Sequence, residues 1–318
     1  MAIILPIASG KGGVGKSVFA INCAVALAKL GKTTVLIDLD LGASNLHTLL
    51  GIKNRYPGIG NLINRTETCL EALLIETDIL RLFFIPGDTL LPGTANIDFF
   101  TKQKIMKSIT NLPADYILLD LGAGSSYNTV DFFLTSSSGC IVTMGESTAI
   151  LNAYSFLKTV FYRTLIRSFP PKGPERQVIS NFFAQKMEGT SNTSSVLKKT
   201  LLENFGENAQ QAISVVERLY PRIVLNMGTG PHDLGVGIKL REIAKKNLEL
   251  NVEYIGYIPW DSSVSASVTA RKPAILLQPD SPFAQAIQAI AGRLISEPIP
   301  TMPHLYPDNE DLKAVYLS

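Results

Sequence analysis

Short apolar runs alternate along this chain with longer segments whose hydrophobic residues recur every three to four positions. The runs at 3–8, 33–38, 80–85, 116–121, 139–144, 222–226 and 253–259 have strand length and are rich in Ile, Val and Leu. Helical spacing marks 17–30, which stops at Gly31, a residue suited to a C-cap. It recurs near 98–111, 127–136, 148–168, 232–250, 261–272 and 281–296. Strands that alternate with helices predict a doubly wound, mostly parallel α/β sheet covered on both faces. Pro6 lies inside the first strand, where it removes a ladder donor, so a bulge or a frayed hydrogen bond is expected there.

Two stretches leave this rhythm. PPKGPE (170–175) reads as a loop, followed by a polar Ser/Thr/Asn-rich span and two helices up to Tyr220. This predicts a helical insertion near 170–220 within a single domain covering 1–297. From 298 to 318 the chain is proline-rich and then acidic at Asp308, Glu310 and Asp311, which predicts a poorly ordered tail.

Composition narrows the classes without choosing among them. The 318 residues are 46% hydrophobic and 18% charged, with a net charge of +2. That balance suits a globular enzyme and excludes a polybasic nucleic-acid protein. Cys23, Cys69 and Cys140 are scattered with no C-x-x-C, which argues against zinc, an iron–sulfur cluster or a disulfide framework and fits a reducing cytoplasm. No apolar stretch reaches membrane-spanning length, and the opening AIILPIA lacks the basic start of a signal peptide.

The chemistry enters with G-K-G-G-V-G-K-S at 10–17, between the first strand and the first helix. Gly10, Gly12, Gly13 and Gly15 allow backbone N–H groups to turn inward around phosphate oxygens. Lys16 can reach the β- and γ-phosphates, and the Ser17 hydroxyl can ligate Mg²⁺. Gly10, Gly12 and Gly15 also satisfy G-x-G-x-x-G, with Asp38 as the acid that follows, so a dinucleotide site is the competitor. It gives no reason for Lys16-Ser17, and neither reading explains Lys11. Acids end two later strands: Asp38 and Asp40 in D-L-D-L-G, and Asp120 in L-L-D-L-G-A-G. Asp40 and Asp120 read as Mg²⁺ ligands, whereas for Asp38 a cap and a ligand stand equally open. Gly124 lets the backbone approach a γ-phosphate and change conformation when it leaves.

Together G-K-G-G-V-G-K-S, D-L-D-L-G-A-S-N-L and L-L-D-L-G-A-G resemble the deviant-Walker-A ATPases of the MinD/ParA group, nearest its FlhG (FleN)-like, MinD-related branch. The segments Y-I-G-Y-I-P-W-D (254–261), V-x-x-S-V-x-x-R-K-P (264–273) and D-S-P-F-A (280–284) carry the resemblance almost to the end of the fold. The resemblance implies a SIMIBI/MinD-like P-loop NTPase that binds ATP and Mg²⁺ and forms a homodimer with ATP. Lys11 would then be the signature lysine, reaching the phosphates of the opposite subunit, and Asp40 would orient or deprotonate the attacking water. Ser17 would ligate Mg²⁺ and Asp120 would hold it through water. Val14, Val18 and Gly124 would line the nucleotide, Asn226 would read adenine, and Pro259 and Asp261 would border the base. Asn45 and Glu146 match interfacial positions, although Glu146 follows Met144-Gly145 where the family has a proline.

The implied function is a slow, partner-stimulated ATPase that controls the position or number of a flagellum, a division site or another cellular structure. A regulatory protein partner is expected, with recruitment to a pole or membrane through it. The family's membrane-docking helix is basic. Here Leu312, Val315 and Tyr316 stand beside acids, so direct membrane binding through the tail is not expected. With the P-loop starting at Gly10, the N-terminal extension of FlhG proteins is not expected. A ParA-like DNA-binding segregation ATPase is the alternative, resting on Lys239, Arg241, Lys245, Lys246 and Arg271-Lys272. Glu242 and Glu249 interleave with these, which favours a solvated face. A low-turnover nucleotide-binding regulator of a transcription activator is the other. Phe99-Phe100, Phe132-Phe133 and Phe182-Phe183 read as core.

Overall fold

A computed structural model of the chain describes residues 2–53, 55–64, 66–67, 69–87, 97–187, 193–296 and 309–317. Its strands are β1 (Ile3–Ala8), β2 (Thr34–Leu39), β3 (Ile75–Glu76), β4 (Leu82–Ile85), β5 (Tyr116–Leu121), β6 (Cys140–Met144), β7 (Arg222–Gly228) and β8 (Glu253–Pro259). They form one sheet in the order β3-β4-β2-β5-β1-β6-β7-β8, in which β3 alone is antiparallel to its neighbour. Buried strands of this kind read as near-continuous apolar runs, which made them visible in the sequence. The alternation was right about the doubly wound sheet and missed the two-residue β3.

Helices cover both faces. α1 (Lys16–Lys29), α2 (Leu46–Leu49), α10 (Ser262–Ala270), α11 (Ala274–Leu277) and α12 (Pro282–Ser296) share one face, where Phe19, Leu27, Ile275, Phe283 and Ile287 are buried. On the other lie α3 (Ile59–Ile63), α4 (Phe99–Asn111), α5 (Tyr127–Phe133), α6 (Ser147–Arg167), α7 (Pro174–Met187), α8 (Ser194–Glu217), α9 (His232–Leu248) and α13 (Glu310–Leu317). The insertion read from the sequence is α7 and α8, and α7 begins inside the stretch taken as a loop.

Pro6 causes no bulge. The β1–β5 register runs unbroken from Ile3 to Ile7, and β6 joins β1 only at Ile7. Proline therefore precedes the β1–β6 pairing and interrupts no bridge in it.

The tail departs from expectation. Part of it, 297–308, lies outside the described residues, but Glu310–Leu317 is a helix rather than a loose acidic end. Leu312 and Val315 are buried against the body. Asp311 accepts hydrogen bonds from the Arg241 guanidinium and from Tyr254 N–H, the latter at 2.9 Å. Tyr316 meets Tyr257 edge-on at 4.9 Å. The acidic side chain that argued for disorder is thus the group that docks the helix, and it blunts the open edge of β8. Leu312→Ala is expected to cost about 3 kcal/mol through the cavity left behind. An unchanged urea midpoint in that variant would show that α13 is not docked in solution.

Candidate functional site

In an open parallel sheet, ligands gather at the carboxyl ends of strands near a change of strand order. β1 occupies that position, with β5 on one side and β6 on the other, and its carboxyl end leads directly into the glycine-rich loop. Gly13 and Gly15 hold positive φ of 82° and 81°, dihedrals that suit glycine. At Gly15 a Cβ would also stand 2.3 Å from the Asn226 amide nitrogen. That amide donates to Val14 O at 2.8 Å, so the end of β7 is stitched to the loop.

Lys16 is buried and rests on carboxylates. Its ammonium donates to Asp120 Oδ1 at 2.6 Å, stands 3.9 Å from Asp40 Oδ2 and lies 3.4 Å from Ser17 Oγ. The tips of β1, β2 and β5 therefore bring Lys16, Ser17, Asp40 and Asp120 into one cluster. Gly124, at φ 83°, hydrogen-bonds through its N–H to Ser9 O at 2.9 Å, which places the loop after Asp120 alongside the glycine loop.

Asp38 settles as an organiser. Its carboxylate accepts from Ser44 Oγ at 2.6 Å, Leu46 N–H at 3.2 Å and Asp40 N–H at 3.1 Å, fixing the loop that carries Asp40 and Asn45. Burial, with Asp120 nearby, pushes its pKa up to about 7, although these hydrogen bonds oppose the rise. Burial also raises Asp120, against the pull of Lys16. A carboxyl whose folded pKa exceeds its unfolded value binds more protons in the native state, so stability falls as pH rises between the two values. The nucleotide-free chain is expected to lose stability between about pH 4 and pH 7, by a few kcal/mol at most. Asp38→Asn should flatten that slope; a wild-type unfolding midpoint that rises across this window would contradict it.

The two remaining loop-associated residues meet at the rim. Lys11 Nζ pairs with Glu146 of the same chain at 3.0 Å, both partly exposed. Gly145, which stands where the resemblance led one to expect a proline, packs against the Asp233 carboxylate so closely that any Cβ would collide. Asn45 lies at the start of α2, its amide donating to Ala43 O at 2.6 Å, and has no contact with the cluster among its described hydrogen bonds.

A cavity of about 200 Å³ adjoins the loop, lined among others by Gly15, Val18, Asn226, Pro259, Trp260 and Asp261. Asp261 accepts from Ser263 N–H and Phe283 N–H at 2.8 and 3.1 Å, which stiffens the bordering turn. Trp260 is held by its backbone N–H to Gly228 O at 2.8 Å, while its side chain stays 65% exposed at the mouth. The residues read from the sequence as lining a base thus surround one cavity. Trp260 was overlooked, though as the chain's single tryptophan in I-P-W-D it was open to notice.

Among the described residues no cluster of three or more His, Cys, Asp or Glu groups forms a metal site. The Ser17 hydroxyl with the Asp40 and Asp120 carboxylates is instead a hard-oxygen set of the kind Mg²⁺ takes when phosphates and water complete its shell. No helix among the described residues is long and apolar enough to cross a membrane. On α9, Arg241 is turned inward onto Asp311 and Asn309, so it is not part of a solvated basic face.

Comparison with known proteins agrees with this geometry. The chain is 28% identical over 301 residues to the flagellum site-determining protein YlxH of Helicobacter pylori, covering 92% of this chain and 82% of that protein. It is 22% identical to the antiactivator FleN of Pseudomonas aeruginosa, covering 94% and 89%. In fold it resembles the septum site-determining protein MinD of Pyrococcus horikoshii, solved with Mg-ADP, at a TM-score of 0.65 and 20% identity over 95% of this chain and all of that one. The profile of the CobQ/CobB/MinD/ParA nucleotide-binding domain matches residues 5–274. With that match over most of its length, the chain belongs to the CobQ/CobB/MinD/ParA nucleotide-binding family.

Proposed function

We propose that the chain is an ATP-gated dimerisation switch whose slow hydrolysis is stimulated by a partner protein. Its output would be the position or number of a cellular structure; its flagellar and septal relatives are named as site-determining proteins. The observation that carries this reading is the second lysine of the loop. Lys16 serves the buried carboxylates, whereas Lys11 stands at the rim in a partly exposed pair with Glu146. Such pairs contribute only ~0–1 kcal/mol, so Lys11 can exchange Glu146 for a phosphate presented by a facing subunit.

The residues divide the work as follows. Backbone N–H groups of 10–17 cradle the phosphates, and Lys16 moves from Asp120 to them as a charge-assisted donor. Freed of Lys16, Asp120 joins Ser17 and Asp40 as the oxygen set that would hold Mg²⁺, which supplies neutralisation of phosphate charge. Asp40 orients the attacking water, and Lys11 from the opposite subunit offsets charge that develops on the γ-phosphoryl group. Asn226, Pro259 and Asp261 select the base. Hydrolysis removes the group that Lys11 grips, and the dimer separates.

Trp260 makes the reading testable without a label. Mg-ATP is expected to change its emission on binding, and light scattering should show the mass double. Asp40→Ala should retain both signals while turnover falls by about a hundredfold or more. Undiminished turnover would remove Asp40 from the mechanism, and a mass unmoved by ATP in that variant would reject the switch.

A further inference from the structure

Helices α4, α5 and α6 carry six cations, Lys102, Lys104, Lys107, Lys158, Arg163 and Arg167, against the carboxylate of Asp131 and the acids Asp98 and Glu146 at the starts of α4 and α6. The chain as a whole is nearly balanced, at +2. Asp131 is buried under three of those cations. Arg163 grips it in bidentate fashion at 2.7 and 2.8 Å, Arg167 reaches it at 3.4 Å, and Lys102 completes the set while also donating to Asn128 Oδ1 at 3.1 Å. Burial would raise the Asp131 carboxyl, but the hydrogen bonds from Arg163 and Lys102 outweigh it and hold the group below the usual range. The network pins three helices together and leaves positive charge over.

Aromatic side chains border it. Phe99 and Phe100, expected in the core, are instead 59% and 81% exposed on the first turn of α4. They stand one turn before Lys102 and Lys104, so rings and ammonium groups share that surface. Tyr127, also exposed, lies under the Arg163 guanidinium at 4.6 Å. Neither the nucleotide cluster nor the core uses these rings.

The side chains of Lys102 and Arg163 are only 7% and 20% exposed, lying between the helices. A polypeptide can set carboxylates against the exposed Lys104, Lys107 and Arg167 and lay apolar residues on the rings beside them. We propose that the α4–α6 face is the docking surface for an acidic, amphipathic segment of a partner protein. Phe99, Phe100 and Tyr127 take its apolar residues, and Lys104, Lys107 and Arg167 take its carboxylates. The position suits a regulator, because Tyr127 opens the helix that follows Gly124, whose N–H bonds Ser9 O beside the phosphate loop. This deepens the switch reading by naming the class of its partner, and rests on that reading for the partner's effect on turnover.

The probe is a fluorescein-labelled peptide of about twelve residues alternating Glu with Leu and Phe, titrated onto the full chain with and without Mg-ATP. Binding should weaken about tenfold in Phe99→Ala/Phe100→Ala and in Lys104→Glu/Lys107→Glu, and about tenfold between ~50 and ~200 mM salt, with basal turnover kept in both variants. No binding, equal binding of the same peptide with Lys for Glu, or binding indifferent to both double variants would overturn the proposal. So would sedimentation with phosphatidylglycerol vesicles that those variants abolish, which would make the face a membrane surface. Lys16→Ala separates the two readings: peptide binding retained there supports the surface whatever becomes of the ATP switch, and loss of it in a folded Lys16→Ala chain counts against an independent surface.

Discussion

Lys16→Ala is expected to lower nucleotide affinity by about a hundredfold or more, since it removes charge-assisted donors worth ~1.5–3 kcal/mol each from the phosphates. Calorimetric titration with Mg-ADP and Mg-ATP reads the effect directly. The structure adds a second consequence. In the structure this ammonium lies between Asp120 at 2.6 Å and Asp40 at 3.9 Å, and Asp38 acts on Asp120 from close by. Without it the buried Asp120 loses its counter-charge, and breaking such a pair costs about 3–5 kcal/mol if the carboxylate stays ionised. Asp120 escapes part of that cost by taking up a proton. Its pKa, already raised, rises further, so the variant should be least stable above neutrality and approach wild type as pH falls toward 5. Equal unfolding midpoints for the two proteins at pH 8 would show that Lys16 does not neutralise the cluster before nucleotide binds.

That double role marks where sequence reasoning was strong and where it ran out. The loop, its following helix and the strand-end acids are local patterns, and their types already state their chemistry. The sheet was legible for the same reason: strands covered on both faces show as continuous apolar runs. Asp38 was not, because only the fold shows that Ser44, Leu46 and Asp40 all turn their donors toward it. Helix α13 failed on the same ground. Asp311 reads as a solubilising acid until Arg241 and Tyr254 N–H, more than fifty residues away, are seen to bind it. Phe99 and Phe100 failed in the opposite direction. Hydrophobic side chains default to the interior, and the exception needs the capped turn that Asp98 sets at the start of α4 and the face this presents outward. Asp131 with its three cations joins residues from three helices that no spacing rule connects.

Lys11→Ala is expected to leave nucleotide affinity within about threefold of wild type while abolishing the ATP-dependent dimer. The distinction follows from position. Lys11 is tied to Glu146 at the rim at 3.0 Å and makes no ion pair with Asp40 or Asp120 in the described structure, so it contributes little to the cradle within its own subunit. Its effect should appear only where a second subunit presents phosphate. The comparison is cleanest in an Asp40→Ala background, where slow turnover keeps ATP in place: the single variant should scatter light as a dimer and the double variant as a monomer. A dimer of undiminished strength in the double variant would end the trans-lysine mechanism. Glu146→Ala then divides the meaning of the pair. If Glu146 only holds Lys11 aside, its loss should let the dimer form at lower ATP concentration. Weaker dimerisation in Glu146→Ala would instead place the carboxylate in the subunit contact itself, with Lys11 and Glu146 exchanging one another for partners across the interface.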